Sequence, residues 1–162
     1  MSIRERRREL RFKKAHAAQA LLDEIFDFRP SEIACQVFDE GSSFDDATIA
    51  KKGRDPVFTK DEMLYALKNL DDTSRRCRQS RRCFDALAYY FMRMEHALCI
   101  NLIELQDVEA PMAYYVRLLT MEEKTIIPYL KKIQYYDAIS FMKRFSQKNL
   151  EKEKYSQAKC LY

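Results

Sequence analysis

Apolar residues recur at helical spacing along most of the chain. Leu10, Ala17, Leu21, Ile25 and Phe28 lie three, four or seven apart, which predicts one amphipathic helix over residues 2–28. Arg29-Pro30 ends it, because the residue before proline avoids the α region. Ser31 is placed to cap a short second helix through Phe38, with Ile33 and Val37 one turn apart. Residues 40–57 contain Gly41, Ser42, Ser43, Gly53 and Pro56 and read as a mobile surface loop, with room for one helical turn at 45–50. Thr59-Lys60-Asp61-Glu62 has the spacing of a capping box. A helix to about Leu70 follows, burying Met63, Leu67 and Leu70.

The densest apolar run, Phe84 to Leu105, predicts the core of a helix from about Ser74 to Leu105. It has the length of a membrane span, about 20 residues, but contains Asp85, Arg93, Glu95, His96, Asn101 and Glu104. One charge at the bilayer centre costs roughly 2.5–3.5 kcal/mol, so the run reads instead as a helix packed on several sides. Gln106-Asp107 is read as its end, and Glu109-Ala110-Pro111 as the start of the next helix, with proline in a first-turn position. Met112, Tyr115, Leu119, Ile126 and Leu130 form that helix's stripe, and Pro128 should kink or split it near 125–127. A last helix over about 136–154 buries Ile139, Met142 and Phe145, and the polar end, 151–162, is expected to fray.

Composition agrees with this pattern. Two glycines and four prolines in 162 residues leave too few turn formers for a sheet-rich domain. The expectation is an all-α fold: one domain, a bundle of five to six helices around 84–105. The five cysteines, Cys35, Cys77, Cys83, Cys99 and Cys160, are odd in number and contain no CxxC pair. The N-terminus is charged and lacks an apolar leader. Reduced thiols in a cytoplasmic protein follow from this reading.

Charge changes the picture more. Net charge is only +4, yet residues 1–14 hold seven basic and two acidic side chains, residues 22–72 hold thirteen acidic and six basic ones, and residues 75–82 hold five arginines and no acid. On helices, Arg4, Arg7, Arg8 and Arg11 share one face, and Arg75, Arg78 and Arg82 share another with Arg81 beside it. Arginine forks match carboxylates and phosphates. Two readings of these arginines stay open: neutralisation by the chain's own acidic segment, or contact with an external polyanion or acidic protein.

Candidate chemistry is sparse. His96 and Cys99 sit one turn apart but lack a second ligand pair, so no metal site and no cofactor is expected. Glu95 and Asn101 project toward apolar neighbours and, with His96, suggest a buried polar network in which Arg117, Arg82 or a tyrosine hydroxyl partners Glu95. A general base with a raised pKa is the competing reading of Glu95, but no nucleophile, partner acid or phosphate cradle accompanies it. Three tyrosine pairs, Tyr89-Tyr90, Tyr114-Tyr115 and Tyr135-Tyr136, suit packing with one ring inside and one at the boundary, with stacking platforms for bases as the alternative.

Tyr90-Phe91-Met92-Arg93-Met94-Glu95, then Leu102-Ile103-Glu104-Leu105-Gln106-Asp107, then Ile126-Ile127-Pro128-Tyr129 give residues 82–145 a layout that resembles an uncharacterised bacterial helical domain. The resemblance implies a helical module and no activity. The sequence is therefore read as a non-enzymatic protein–protein interaction or regulatory module of bacterial, phage or mobile-element origin. RNA or DNA binding through the two arginine faces is the alternative. The long amphipathic first helix also suits packing against a second copy of the chain.

Overall fold

The computed structural model describes residues 2–39 and 58–145. The loop expected over 40–57 and the tail expected to fray over 151–162 lie outside these residues. The described chain is 84% helical, with seven helices and no strand, packed in a bundle-like arrangement. In chain order these are α1 Ile3–Asp27, α2 Arg29–Phe38, α3 Lys60–Lys68, α4 Arg75–Cys99, α5 Leu105–Met121, α6 Glu123–Lys132 and α7, residues 136–145. No helix among the described residues is long and apolar enough to cross a membrane.

α4 is the axis of the bundle, and α1, α2 and α3 pack on it. Phe84, Leu87, Phe91 and Met94 follow one another at helical spacing and are each no more than 1% exposed. Phe84 is held between Phe38 of α2 and Tyr129 of α6, with ring centroids 6.0 and 5.7 Å away. Two turns on, Phe91 meets Phe141 of α7 at 5.0 Å, and Phe141 meets Phe145 at the same distance. Burying such rings is worth roughly 1.5–3 kcal/mol each, so these two aromatic clusters fix where α2, α6 and α7 dock.

The ends of the helices depart from expectation in several places. Ser31 does not cap α2, which begins at Arg29 with Pro30 in its first turn. Instead Ser31 is wholly buried, and its hydroxyl donates toward the carbonyls of Ile25 and Phe28 at 2.5 and 2.8 Å. It thus satisfies carbonyls that α1 leaves open at its end. The Thr59 capping box forms as expected, Glu62 N–H donating to Thr59 Oγ1 and Thr59 N–H to Glu62. α3 then stops at Lys68 and not at Leu70.

The largest correction concerns the end of α4. The helix stops at Cys99, six residues short of Leu105. Leu102 N–H donates to Ala97 O at 2.8 Å and Asn101 N–H to Leu98 O at 3.1 Å. Asn101 has φ 59°. This bonding pattern with a left-handed residue is a Schellman cap, and asparagine tolerates the conformation better than most non-glycine residues. Gln106-Asp107, read as an end, lies in the first turn of α5, where Asp107 accepts from Glu104 N–H at 3.2 Å. A carboxylate suits the positive end of a helix. Pro111 consequently falls inside α5 and not at its start. The split expected near 125–127 occurs about one turn earlier, at Glu122, and Pro128 is accommodated inside α6.

Candidate functional site

The run of five arginines divides by geometry. Arg76 lies beside α3 and makes a two-pronged pair with Glu62, Nε and Nη2 to the two carboxylate oxygens at 2.8 and 2.7 Å. Its guanidinium also sits over the Phe58 ring, 5.5 Å from the centroid. Arg81 turns toward the end of α3 and donates to the carbonyls of Ala66, Asn69 and Asp72 at 3.1, 3.1 and 2.7 Å. One guanidinium thereby satisfies carbonyls that α3 and the turn after it leave open, and its positive charge meets the negative end of the α3 dipole.

Arg75, Arg78 and Arg82 remain. They are exposed, on the side of α4 opposite its buried residues Cys77, Ser80, Phe84 and Leu87, and they make no ion pair or hydrogen bond among the described residues. Among the described residues, the acidic segment takes one arginine of the run, through Glu62, and makes no pair with this face. The arginine interaction with Glu62 holds that carboxyl below the usual range. Asp72, which accepts from Ser74 N–H at 2.8 Å, is held low by that bond first.

The N-terminal arginines lie elsewhere. Glu24 pairs with Arg93 of α4, Lys14 Nζ donates to Asn101 at 2.6 Å, and Arg11 pairs with Asp107 at 2.7 Å. α1 therefore runs antiparallel to α4, and its first turns project past the C-terminal end of α4. With a rise of about 1.5 Å per residue, the 25 residues of α4 place the two arginine clusters at opposite ends of the bundle axis. Arg11 is engaged by Asp107, which it holds below the usual carboxylate range. Arg4, Arg7 and Arg8 are exposed and make no pair among the described residues. One continuous arginine stripe does not form.

The expected polar network of Glu95, His96 and Asn101 also comes apart. Glu95 is 5% exposed, as expected, but its partner is Arg144 of α7, whose Nε and Nη2 reach the two carboxylate oxygens at 2.6 and 2.7 Å. Neither Arg82, Arg117 nor a tyrosine takes this place, because α7 docks over Glu95 through Phe141. Cys99 Sγ lies 3.6 Å from Glu95. With both oxygens committed to a fixed guanidinium, Glu95 is poorly placed to accept a substrate proton. His96 and Asn101 are exposed, since His96 faces away from the core and Asn101 lies beyond the helix. Among the described residues no group of three or more His, Cys, Asp or Glu is placed to hold a metal ion.

One buried pair carried no signal in the sequence. Tyr129 donates its hydroxyl to Asp85 at 2.6 Å across the α4–α6 interface. Burial pushes the Asp85 carboxyl up and the Tyr129 hydroxyl up. The tyrosine pairs behave as expected: Tyr90 is buried and Tyr89 exposed, Tyr115 lies inward and Tyr114 outward, Tyr135 inward and Tyr136 outward. Arg93 lies over the Tyr90 and Tyr89 rings, 5.5 and 5.9 Å from their centroids.

A groove of about 570 Å³ opens between α1 and α4. Ala17, Ala20 and Leu21 line one wall, and Met92, Ala97 and Ile100 the other. No protein-family model matches this chain, and no curated protein or solved structure is significantly similar to it. The resemblance over residues 82–145 accordingly rests on its own residues.

Proposed function

We propose that this protein is a non-enzymatic interaction or regulatory module that presents the Arg75, Arg78 and Arg82 face of α4 to an acidic surface of a partner protein. The observation that carries this reading is the division of the arginine run. Arg76 and Arg81 serve the fold, while the other three point to solvent from a helix whose opposite side is locked in the core. The rigid helix fixes where these side chains start, and the planar guanidinium fork loses less freedom per hydrogen bond to a carboxylate than a lysine ammonium does. The titratable groups nearest the core favour the same reading, because Glu95 and Asp85 are each committed to a structural partner.

Replacing all three with glutamate, Arg75→Glu/Arg78→Glu/Arg82→Glu, separates this from nucleic-acid binding. The expected result is that the wild-type chain captures a partner protein, that the triple variant loses it with its helical spectrum intact, and that neither binds RNA or DNA at low salt. Retention of the same partner by the variant removes the proposed face. Nucleic-acid binding that falls steeply between about 50 mM and 200 mM salt, and is lost in the variant, installs the alternative instead.

A further inference from the structure

Residues 2–13 are exposed throughout, so the first half of α1 stands as a helical arm away from the body. An isolated helix shorter than about 12–15 residues is marginal in water, and among the described residues this arm is tied to the body by Arg11 and Lys14 near its base. Two of its three large apolar residues, Ile3 and Leu10, lie on the face that leads into the groove, whereas Phe12, 71% exposed, lies on the other side of the helix. Ile3, Leu10 and Ala17 are spaced by seven, and Ala17 already lines the groove. Ile3 and Leu10 are 76% and 56% exposed, and Ile100 at the groove rim is 58% exposed.

Charge along α1 is polarised in the same sense. Seven basic residues fall within 1–14, whereas Asp23, Glu24 and Asp27 fall in the second half, where residues 15–27 contain no Lys or Arg. Two copies of such a rod repel when parallel and attract when antiparallel. From these observations we infer that α1 pairs with α1 of a second copy, antiparallel about a two-fold axis near Ala15, so that each arm lies in the other copy's groove. In this register Leu10 of one copy sits over Ala20 of the other, and Arg6 reaches Glu24. Small side chains at 17 and 20 let the helices approach to about 8 Å. The contact is isologous, using the same patch on both copies, as a closed dimer requires. It uses α1 and the groove wall alone, so its failure leaves the proposed α4 arginine face untouched.

Sedimentation and cysteine cross-linking test this. The full chain should sediment at twice 19.3 kDa. Leu10→Glu and Ala20→Arg, both at exposed positions, should each give monomers with unchanged helicity. Arg6→Glu should weaken the dimer about tenfold at low salt, and less at high salt. In Leu10→Cys/Ala20→Cys, oxidation should yield a covalent dimer whose peptide map contains a 10–20 bridge. That bridge cannot form within one chain, where ten residues of helix separate the two sites by about 15 Å, beyond the roughly 7 Å limit for a disulfide. A wild-type chain that stays monomeric at submillimolar concentration overturns the inference, whatever else then occupies the groove. So does a dimer that survives both Leu10→Glu and Ala20→Arg, or one that yields no 10–20 bridge.

Discussion

Glu95 and Arg144 illustrate how a residue's role divides between sequence and structure. The apolar neighbours of Glu95 on the helix, Phe84 and Phe91 among them, announce that a carboxylate there is buried and needs a partner. The partner itself was not legible. Arg144 is 49 positions away, on a helix whose docking is decided by Phe141 meeting Phe91, and spacing along one helix says nothing about which cation arrives across an interface. The pair is asymmetric: the Glu95 side chain is 7% exposed and that of Arg144 43%. Arg144→Ala strands a buried carboxylate and should cost about 3 kcal/mol, near the low end for a broken buried pair. Glu95→Gln keeps an acceptor and lets Arg144 turn to water, so about 1 kcal/mol is expected. Urea midpoints of the two variants measure this difference, and equal losses contradict the asymmetry.

At the scale of the element, the helix bodies, the Thr59 capping box and the stop of α1 before Pro30 were legible, while the starts of α2 and α5 and the end of α4 were not. Thr59 and Glu62 announce α3 because a capping box is a local pattern. The ends of α4 and α6 carry no comparable signal. Both of the chain's glycines, Gly41 and Gly53, lie in the 40–57 segment, so the left-handed position after each helix falls to another residue. Asn101 takes it after α4 with φ 59°, and Gln134 after α6 with φ 64°. At the second site Tyr135 N–H donates to Leu130 O at 2.8 Å and Gln134 N–H to Lys131 O at 3.1 Å, the same Schellman pattern. Reading Asn101 as part of a continuous apolar run extended α4 too far and displaced the start of α5. Glutamine has no special tolerance for positive φ. Gln134→Gly should therefore stabilise the protein by about 0.5–1 kcal/mol, and Gln134→Val should destabilise it by about 1–2 kcal/mol. Thermal melts check both signs, and a destabilised glycine variant contradicts the argument.

For the whole molecule, the all-helical class and the central place of α4 followed from composition and from the length of one apolar run. The separation of the two arginine clusters did not, because it depends on the antiparallel course of α1 and α4. Response to pH also belongs to this scale. Glu62, Asp72 and Asp107 have carboxyls held below the usual range. A group whose pKa is lower folded than unfolded stabilises the fold above its unfolded value, and that contribution is lost as pH falls through the folded value. Asp85 is raised by burial, so its contribution runs the other way and stability is lost as pH rises from the ordinary aspartate value through the folded one. The melting temperature should drop in acid below about pH 4, where ordinary Asp and Glu protonate. Asp85→Asn, which preserves an acceptor for Tyr129, should flatten the profile in the window just above. A wild-type melt unchanged from neutral pH down to about 3 contradicts the first expectation, and an Asp85→Asn profile parallel to wild type contradicts the second. The grip of Arg81 on the carbonyls of Ala66, Asn69 and Asp72 has a consequence for the order of assembly during synthesis. The group that finishes α3 is encoded after it, at positions up to 15 residues downstream. A nascent chain that has released α3 but not yet Arg81 holds a nine-residue helix whose last carbonyls face water, so α3 gains its final bonds only when the second turn of α4 follows it.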